Sequence, residues 1–347
     1  MLDWKGDPKT GVPQKVQDQI KIWEKNNGRV EIFAVIPKKY EKEWLKKTNR
    51  IFSYSSNVGR YISRIKASLS LMLSRDFDLA YRRISIWEIS EIVSMLVVPT
   101  VLEINTNNKW FFSNKSFLLR LVYEIQYSIV SRIALGACAV TKELVKLQSP
   151  RLSAKTKAFT NSIDVENTLM SPLRKDDEKT KLIFVGSESF IWNGLDRLKN
   201  LAMEFPKLEF HVVGVTGTGP NNIVWYPNLY NESLSRLYEK IDIGISTLSI
   251  NKMNLVEAAP LKSRNYLAHG LPVVGAYKDS AIEENSKFFM EIKFDPATDK
   301  LINKSEFLEF IKFWQGKRVI KSDLLCIESS NVERQRIHYF EHLLSIE

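Results

Sequence analysis

The 347-residue sequence is poor in the residues that build disulfide or metal frameworks. It contains two cysteines, Cys138 and Cys326, and four histidines. Two cysteines cannot form a disulfide framework and offer no paired spacing for a structural zinc site, so we expect a reducing compartment. His338 and His342 stand one helical turn apart, but no further ligands accompany them. We therefore expect no metal ion and no other cofactor.

Long hydrophobic runs are also missing. The longest uncharged apolar run, Ile92 to Leu102, falls well short of the roughly 18 residues that a spanning helix needs. The amino terminus, Met1 to Pro8, lacks the apolar core of a secretory signal. These absences predict a cytoplasmic protein, which could still be peripheral on the inner face of a membrane.

The charge is basic and unevenly distributed. Fifty Lys or Arg oppose 40 Asp or Glu, and the resulting net charge of +10 favours an acidic partner. The basic segment Lys38–Arg83 contains an apolar stripe at helical spacing: Val58, Tyr61, Ile62, Ile65, Leu69 and Met72. The stripe could pack on the sheet of its own domain, which is the simplest interpretation, face an anionic membrane, or contact nucleic acid. Of these partners we do not expect nucleic acid.

Strand-like and helical runs alternate along nearly the whole chain, a pattern typical of an α/β protein with parallel sheets. The predicted strands are Val30–Ile36, Arg50–Tyr54, Leu79–Ile84, Pro99–Asn105, Ala137–Thr141, Lys157–Asn161, Lys181–Gly186, Phe210–Val215, Ile223–Tyr226, Ile241–Ser246 and Pro272–Ala276. The polar stretch Ser171–Thr180 interrupts this rhythm. We therefore predict a first domain over residues 1–170 and a second over 171–330, with a C-terminal helix over 331–347 that packs back on the first.

The most informative pattern lies between Asn254 and Val274. Pro260 suits the first turn of a helix and Gly270 its C-terminal cap, so the sequence predicts a helix that leads into the strand Pro272–Ala276. Free backbone N–H groups at Leu261 and Lys262, together with the lysine side chain, would favour a diphosphate. Glu257, just before the helix, is suited to accept hydrogen bonds from sugar hydroxyls.

In this pattern the sequence resembles the retaining GT-B-fold glycosyltransferases of family 4, the glycosyl transferases group 1. Their signature is two glutamates separated by seven residues, ahead of a Gly-x-Pro-Val-Val strand. Glu257 takes the first place and Asn265 the second. The resemblance implies that Asn265 holds the ribose of a nucleotide and that Lys262 and Arg264 contact the leaving diphosphate.

Two further segments carry the resemblance. Leu182–Leu198 looks like the family's phosphate-binding loop, which implies donor contacts from Gly186, Ser187 and Asn193, although Ser187 replaces the usual Arg and Asn193 the usual Lys. In the first domain, the loop Gly6–Val12 resembles the family's glycine-bearing loop. It makes Gly11 an acceptor-side candidate, and the strand ends make Arg83 and Asn105 two others. Asp76 and Asp78 form an Asp-x-Asp pair that we interpret as incidental.

These features predict an α/β protein of the GT-B fold, with two Rossmann-like doubly wound domains facing across a cleft. The resemblance implies a retaining, metal-independent transferase in which Glu257 and Lys262 are catalytic. It would move a sugar from a nucleoside diphosphate sugar to an acceptor hydroxyl, on a lipid-linked glycan in cell-surface polysaccharide assembly. Two alternatives stay open: a GT-B-fold binding or scaffold protein with little or no turnover, and an epimerase-like enzyme acting on nucleotide sugars.

Overall fold

The computed structural model describes residues 2–5, 11–26, 28–44, 50–74, 76–83, 88–113, 115–174, 179–187 and 190–345. The chain divides into two compact units. Unit 1 comprises Met1–Phe159 and Val332–Glu347, and unit 2 comprises Thr160–Asn331. The sequence placed the boundary later, after residue 170. Residues 160–170 belong to unit 2 because Ile163 donates its backbone N–H to Ile327 at 3.0 Å and Val165 is buried in the core of that unit.

Unit 1 is built on short parallel strands. Its described strands are β1 (Leu2–Asp3), β2 (Phe33–Pro37), β3 (Arg50–Tyr54), β4 (Ala80–Arg83), β5 (Thr100–Ile104), β6 (Gly136–Ala139) and β7 (Thr156–Ala158). Its described α-helices are α1 (Gly11–Lys25), α2 (Glu41–Trp44), α3 (Asn57–Leu73), α4 (Ile89–Val97), α5 (Asn108–Ser113), α6 (Phe117–Ile133), α7 (Lys142–Lys146) and α8 (Pro150–Ser153). Strands β1, β2 and β3 form one parallel sheet, and β4 to β7 form another in chain order.

Unit 2 contains a larger parallel sheet. Its described strands are β8 (Lys181–Val185), β9 (Glu209–Val213), β10 (Ile223–Tyr226), β11 (Ile243–Ile245), β12 (Glu257–Ala258), β13 (Val273–Gly275), β14 (Lys278–Asp279) and β15 (Phe289–Glu291). Its described α-helices are α9 (Leu195–Glu204), α10 (Asn231–Tyr238), α11 (Leu261–Ala268) and α12 (Lys304–Trp314). The main sheet has the order β10-β9-β8-β11-β13-β15, and β12 pairs with β14 separately. Each predicted strand overlaps an observed one.

The last helix, α13 (Ser329–Ser345), is part of unit 1 from Val332 onward. Tyr339 and Leu343 pack in one cluster with Val101 of β5. Near the start of α13, the carboxylate of Glu333 accepts a hydrogen bond from Trp23 of α1 at 2.9 Å. Apolar packing and a buried carboxylate thus hold the C-terminal helix on this unit.

The apolar stripe of α3 points away from the sheet, so the simplest interpretation of that helix is wrong. Its members Val58, Tyr61, Ile62, Ile65 and Leu69 are exposed, and Met72 is half-buried. The inward side instead carries Ser63, Arg64, Ala67, Ser68 and Leu71. Arg64 donates two hydrogen bonds to the Glu91 carboxylate of α4, at 2.7 and 3.1 Å. Because this buried polar side fixes the rotation of α3, the stripe faces outward.

Some predicted features fall outside the described residues. They are Gly6–Thr10 of the glycine-bearing loop and Ile84 at the end of the predicted third strand. Within the described part of the chain, no helix is both long and apolar enough to cross a membrane.

Candidate active site

Lys262 lies at the centre of a small cluster in unit 2. Its ammonium Nζ donates a hydrogen bond to Oδ1 of Asn193 at 2.8 Å and lies 4.1 Å from the centroid of the Phe184 ring. No carboxylate among the described residues is within ion-pair distance of it. Burial lowers the pKa of Lys262 to about 7. The site therefore holds an amino group that, when protonated, lacks a negative protein partner in the part of the chain described.

Asn193 connects the lysine to the loop that follows β8. Its Nδ2 donates to the Ser187 carbonyl at 2.8 Å while its Oδ1 accepts from Lys262. A side chain at Gly186 would meet Phe184 at 2.8 Å and Asn193 at 3.1 Å, so only a glycine lets the loop lie this close. Four predicted donor-site residues, Gly186, Ser187, Asn193 and Lys262, are thereby brought together.

Helix α11 presents its first turn to this cluster. Pro260 is the N-cap and makes no side-chain cap hydrogen bond, and the helix begins at Leu261. Tyr266 anchors the helix to β8, because its hydroxyl accepts a hydrogen bond from the backbone N–H of Val185 at 2.7 Å. A helix start beside a lysine and a glycine loop is an arrangement suited to an anion.

Arg264 lies elsewhere and does not join Lys262. Its fully buried guanidinium donates to both oxygens of Asp279, at 2.6 and 2.8 Å, and also to Asn161 and Thr160. The two basic residues stand two positions apart on α11, so their side chains point to nearly opposite sides of the helix. The structure therefore places Arg264 in an internal ion pair, and its contact with a diphosphate stays a prediction.

Asn265 is half-buried on α11, and its side-chain Oδ1 is buried without a hydrogen-bond partner among the described residues. Its backbone carbonyl is used by His269, whose ring Nδ1 lies 2.8 Å away. The free side-chain oxygen is able to accept a hydrogen bond from a hydroxyl, which is the chemistry predicted for this position.

Glu257 opens the two-residue strand β12, directly before α11. In the pairing of β12 with β14 it stands opposite Lys278. The Glu257 side chain is half-buried. This predicted catalytic carboxylate therefore lies on the short strand that precedes the helix.

The acceptor-side candidates all lie in unit 1. Gly11 is the exposed first residue of α1, Arg83 ends β4, and Asn105 follows β5. Arg83 lies 4.0 Å from the Glu103 carboxylate, which also accepts a hydrogen bond from Lys15 at 2.6 Å. The Nδ2 group of Asn105 is buried and has no hydrogen-bond partner among the described residues. The sequence analysis did not single out Lys15 as the partner of Glu103.

A cavity of about 620 Å³ begins one residue beyond Asn105. Residues 106–109, one side of α6, and residues 147–151 line it. Lys109, Arg132 and Arg151 contribute positive charge to the lining, and Glu124 contributes negative charge. Its volume is within the range of about 300–1,000 Å³ that small-molecule sites occupy.

The sequence interpretation also missed three residues that shape the cluster around Lys262. The pattern marks Phe184 and Tyr266 only as apolar members of a strand and a helix, and it does not single out Gly214. Gly214 has φ +85°, and a side chain there would clash with the Gly186 carbonyl. The pairing of that glycine with the Gly186 loop is a long-range contact that no local pattern indicates. In the described part of the chain, no group of three or more His, Cys, Asp or Glu is placed to hold a metal ion.

The parallel sheets of the two units, and their succession along the chain, define an α/β protein of the GT-B fold. Solved structures of that fold match nearly the whole chain. The structure of Anabaena HepE in complex with UDP and glucose matches with a TM-score of 0.65 at 12% identity, covering 98% of each chain. A glycosyltransferase from Rickettsia africae matches with a TM-score of 0.61 at 12% identity, covering 99% of this chain and 97% of the other.

The apo form of the lipopolysaccharide outer core galactosyltransferase WaaB matches with a TM-score of 0.58 at 10% identity, covering 97% of this chain and 98% of the other. No protein-family model and no curated protein sequence matches the chain. At these identities the similarity demonstrates the fold, and the predicted fold class is confirmed.

Proposed function

We propose that the protein is a glycosyltransferase that moves a sugar from a nucleoside diphosphate sugar to an acceptor hydroxyl. The observation that carries the proposal is the environment of the Lys262 ammonium. It is buried, and it contacts a neutral amide and an aromatic ring instead of a carboxylate. A diphosphate at this position would supply the missing negative charge. The nearby first turn of α11 would add backbone N–H donors.

In this proposal, Lys262 stabilises the charge that develops on the leaving diphosphate, and such electrostatic stabilisation usually contributes most to catalysis. Gly186 and Ser187 offer a loop that can approach the phosphates closely, and Asn193 orients the lysine. Asn265 accepts a hydrogen bond from the ribose, and Glu257 orients hydroxyls of the donor. No metal ion is required, because the lysine and the helix start perform the neutralisation. We propose retention of the anomeric configuration from the resemblance to family 4.

The donor is proposed to be a uridine nucleotide sugar in the first instance. HepE, which shares the fold over 98% of both chains, is described in complex with UDP and glucose. The neutral amide of Asn265 can accept from either ribose hydroxyl but does so without the added strength of a charge. We therefore expect donor binding that is real but weaker than a carboxylate at this position would give.

The acceptor is proposed to bind unit 1 in the cavity next to Asn105. The three cations of its lining suit a phosphorylated acceptor, such as a lipid-linked glycan used in cell-surface polysaccharide assembly. Arg83 and Gly11 are the further acceptor-side candidates, and a cytoplasmic location at the inner face of a membrane would suit this substrate.

The test is turnover by the purified protein. UDP, GDP and ADP sugars are supplied in turn, and release of the nucleotide is measured without acceptor and with a lipid-linked phosphoglycan. We expect slow release without acceptor, faster release with it, and loss of both in Lys262→Gln. If no donor supports nucleotide release in either condition, the proposed transferase is wrong.

A binding or scaffold protein is the second candidate, favoured by three uncharged residues at donor positions, Ser187, Asn193 and Asn265. It predicts that a nucleotide sugar binds and is recovered unchanged. An epimerase-like enzyme predicts an altered nucleotide sugar without any acceptor. The same assay, followed by identification of the sugar, separates the three.

A further inference from the structure

Three helices of unit 1 carry an outward surface of large apolar side chains. Of the 31 large hydrophobic residues exposed in the described part of the chain, 17 lie on α3, α4 and α6. We name this surface the α3–α4–α6 face. Its members are Val58, Tyr61, Ile62, Ile65, Leu69, Leu73, Ile89, Val93, Leu96, Val97, Phe117, Leu118, Leu119, Leu121, Val122, Ile125 and Ile129.

The three helices are neighbours, so these side chains form one surface. Helix α4 contacts both α3 and α6. The exposure is large: Leu73 exposes 81% of its surface, and Ile89 and Phe117 each expose 80%. Contiguous apolar patches of more than a few hundred Å² are rare on monomeric soluble proteins and mark interaction sites.

The packing of the helices keeps this face outward. Arg64 of α3 and Glu91 of α4 form a buried ion pair beneath it, and Ser63 donates to the Ser53 carbonyl of β3 at 3.0 Å. Turning α3 to bury its stripe would break that ion pair and leave two unpaired charges in apolar surroundings, which is unfavourable. The outward orientation is therefore a stable feature of the unit.

The charge on and around the face is positive in sum. The three helices contain five Arg or Lys and two Glu. Glu91 is buried with Arg64, while Glu124 is exposed, lines the cavity and lies one turn from Arg120 on α6. The cations Lys66 and Arg120 are exposed on the helices and Lys115 lies exposed just before α6, whereas Asp76 and Asp78 lie exposed just after α3. An apolar surface with an excess of cations over exposed carboxylates is complementary to anionic lipid.

We infer that the α3–α4–α6 face is the docking surface of the protein for an anionic lipid bilayer. The apolar side chains enter the interface between headgroups and acyl chains, while Lys66, Lys115 and Arg120 contact lipid phosphates. This inference concerns unit 1 alone and goes beyond the transfer reaction proposed for the Lys262 site. A second copy of the chain is a poorer occupant, because two such faces would bring their cations together.

The experiment is sedimentation of the full chain with vesicles of phosphatidylcholine, alone or with about 30% of the anionic lipid phosphatidylglycerol. The test variant takes one exposed leucine from each helix: Leu69→Gln, Leu96→Gln and Leu118→Gln together. The matched control changes three exposed apolar residues of unit 2: Leu308→Gln, Ile320→Gln and Leu325→Gln. Both variants keep the net charge of the parent.

We expect the parent and the control to sediment with anionic vesicles, and the test variant to partition at least tenfold less. All three proteins should have the same melting temperature and hydrolyse donor at the same rate without vesicles. The result is therefore independent of the Lys262 chemistry. Three outcomes overturn the inference: no parent protein on anionic vesicles, equal partition of the test variant, or equal binding to neutral vesicles. Parent protein that self-associates without lipid, in a way the test variant abolishes, would instead identify a second copy as the occupant.

Discussion

The ammonium of Lys262 and the side-chain amide of Asn193 are joined by a hydrogen bond of 2.8 Å. A second enclosed lysine, Lys15, has a carboxylate partner, Glu103, at 2.6 Å. Burial lowers the pKa of both lysines, but at Lys15 the carboxylate opposes it, whereas at Lys262 burial acts alone. This contrast is the physical basis for assigning Lys262 to an anionic ligand and Lys15 to the structure of unit 1.

Asn193→Asp should weaken binding of a diphosphate at the Lys262 site. The new carboxylate would stand within hydrogen-bond distance of the Lys262 ammonium and raise the pKa of that lysine. The variant also loses the Nδ2 donor to the Ser187 carbonyl and places an oxygen there instead, which offsets the stabilisation by the ion pair. We therefore expect a melting temperature close to that of the parent, while UDP affinity falls because the carboxylate competes with the diphosphate. Differential scanning fluorimetry with and without UDP measures both.

Asn193→Ala serves as the control for that variant, since it removes the hydrogen bond without adding charge. It should lower the melting temperature. If Asn193→Asp instead bound UDP as well as the parent, the diphosphate would not lie at this ammonium.

The pH dependence of stability should carry the signature of Lys262. Its pKa in the folded protein, about 7, is below its ordinary value of 10.5. Between these two pH values the unfolded chain binds more protons at this group, so its contribution makes the free energy of unfolding rise with pH. The slope is at most about 1.4 kcal/mol per pH unit.

Urea unfolding of the parent and of Lys262→Gln at pH 7 to 10 isolates this group, because other titrations are shared. We predict that the stability of the parent relative to the variant increases over this range. A difference that stays constant with pH would show that Lys262 keeps an ordinary pKa.

Breaking the Arg264–Asp279 pair should destabilise unit 2 strongly. Arg264→Leu leaves the fully buried Asp279 carboxylate without its cation, and such losses cost about 3–5 kcal/mol. The exposed Arg236–Glu232 pair is the comparison, since Arg236→Ala should cost about 1 kcal/mol or less. Urea unfolding measures the free energy of unfolding of both variants. Equal losses would mean that the buried Arg264 pair contributes no more to stability than the exposed Arg236 pair.

Local signals in the sequence were sufficient for the elements that hold the site. Pro260 and Gly270 predicted a helix over Leu261–His269, and the structure has Leu261–Ala268. The same helix shows the limit, because the role of Arg264 depends on Asp279, which a separate strand brings to it. Side-chain type could not distinguish a cation destined for a ligand from one destined for a carboxylate.

The apolar stripe of α3 shows a second limit. Helical periodicity identifies which side of a helix is apolar, but not whether that side meets the sheet or the solvent. Here the buried Arg64–Glu91 pair decides the orientation, and its partners come from different helices. A sequence pattern alone could therefore leave the membrane interpretation open without choosing it.

The most direct test of the account is calorimetric titration of UDP into the parent, Lys262→Gln and Lys312→Gln, the last an exposed lysine of α12 that serves as control. Losing the charge-assisted hydrogen bond of Lys262 removes about 1.5–3 kcal/mol, which corresponds to a loss of affinity of about 10- to 150-fold. We predict that Lys262→Gln shows this loss and that Lys312→Gln binds like the parent. Binding of UDP by Lys262→Gln with the affinity of the parent would contradict the claim that this lysine holds the diphosphate.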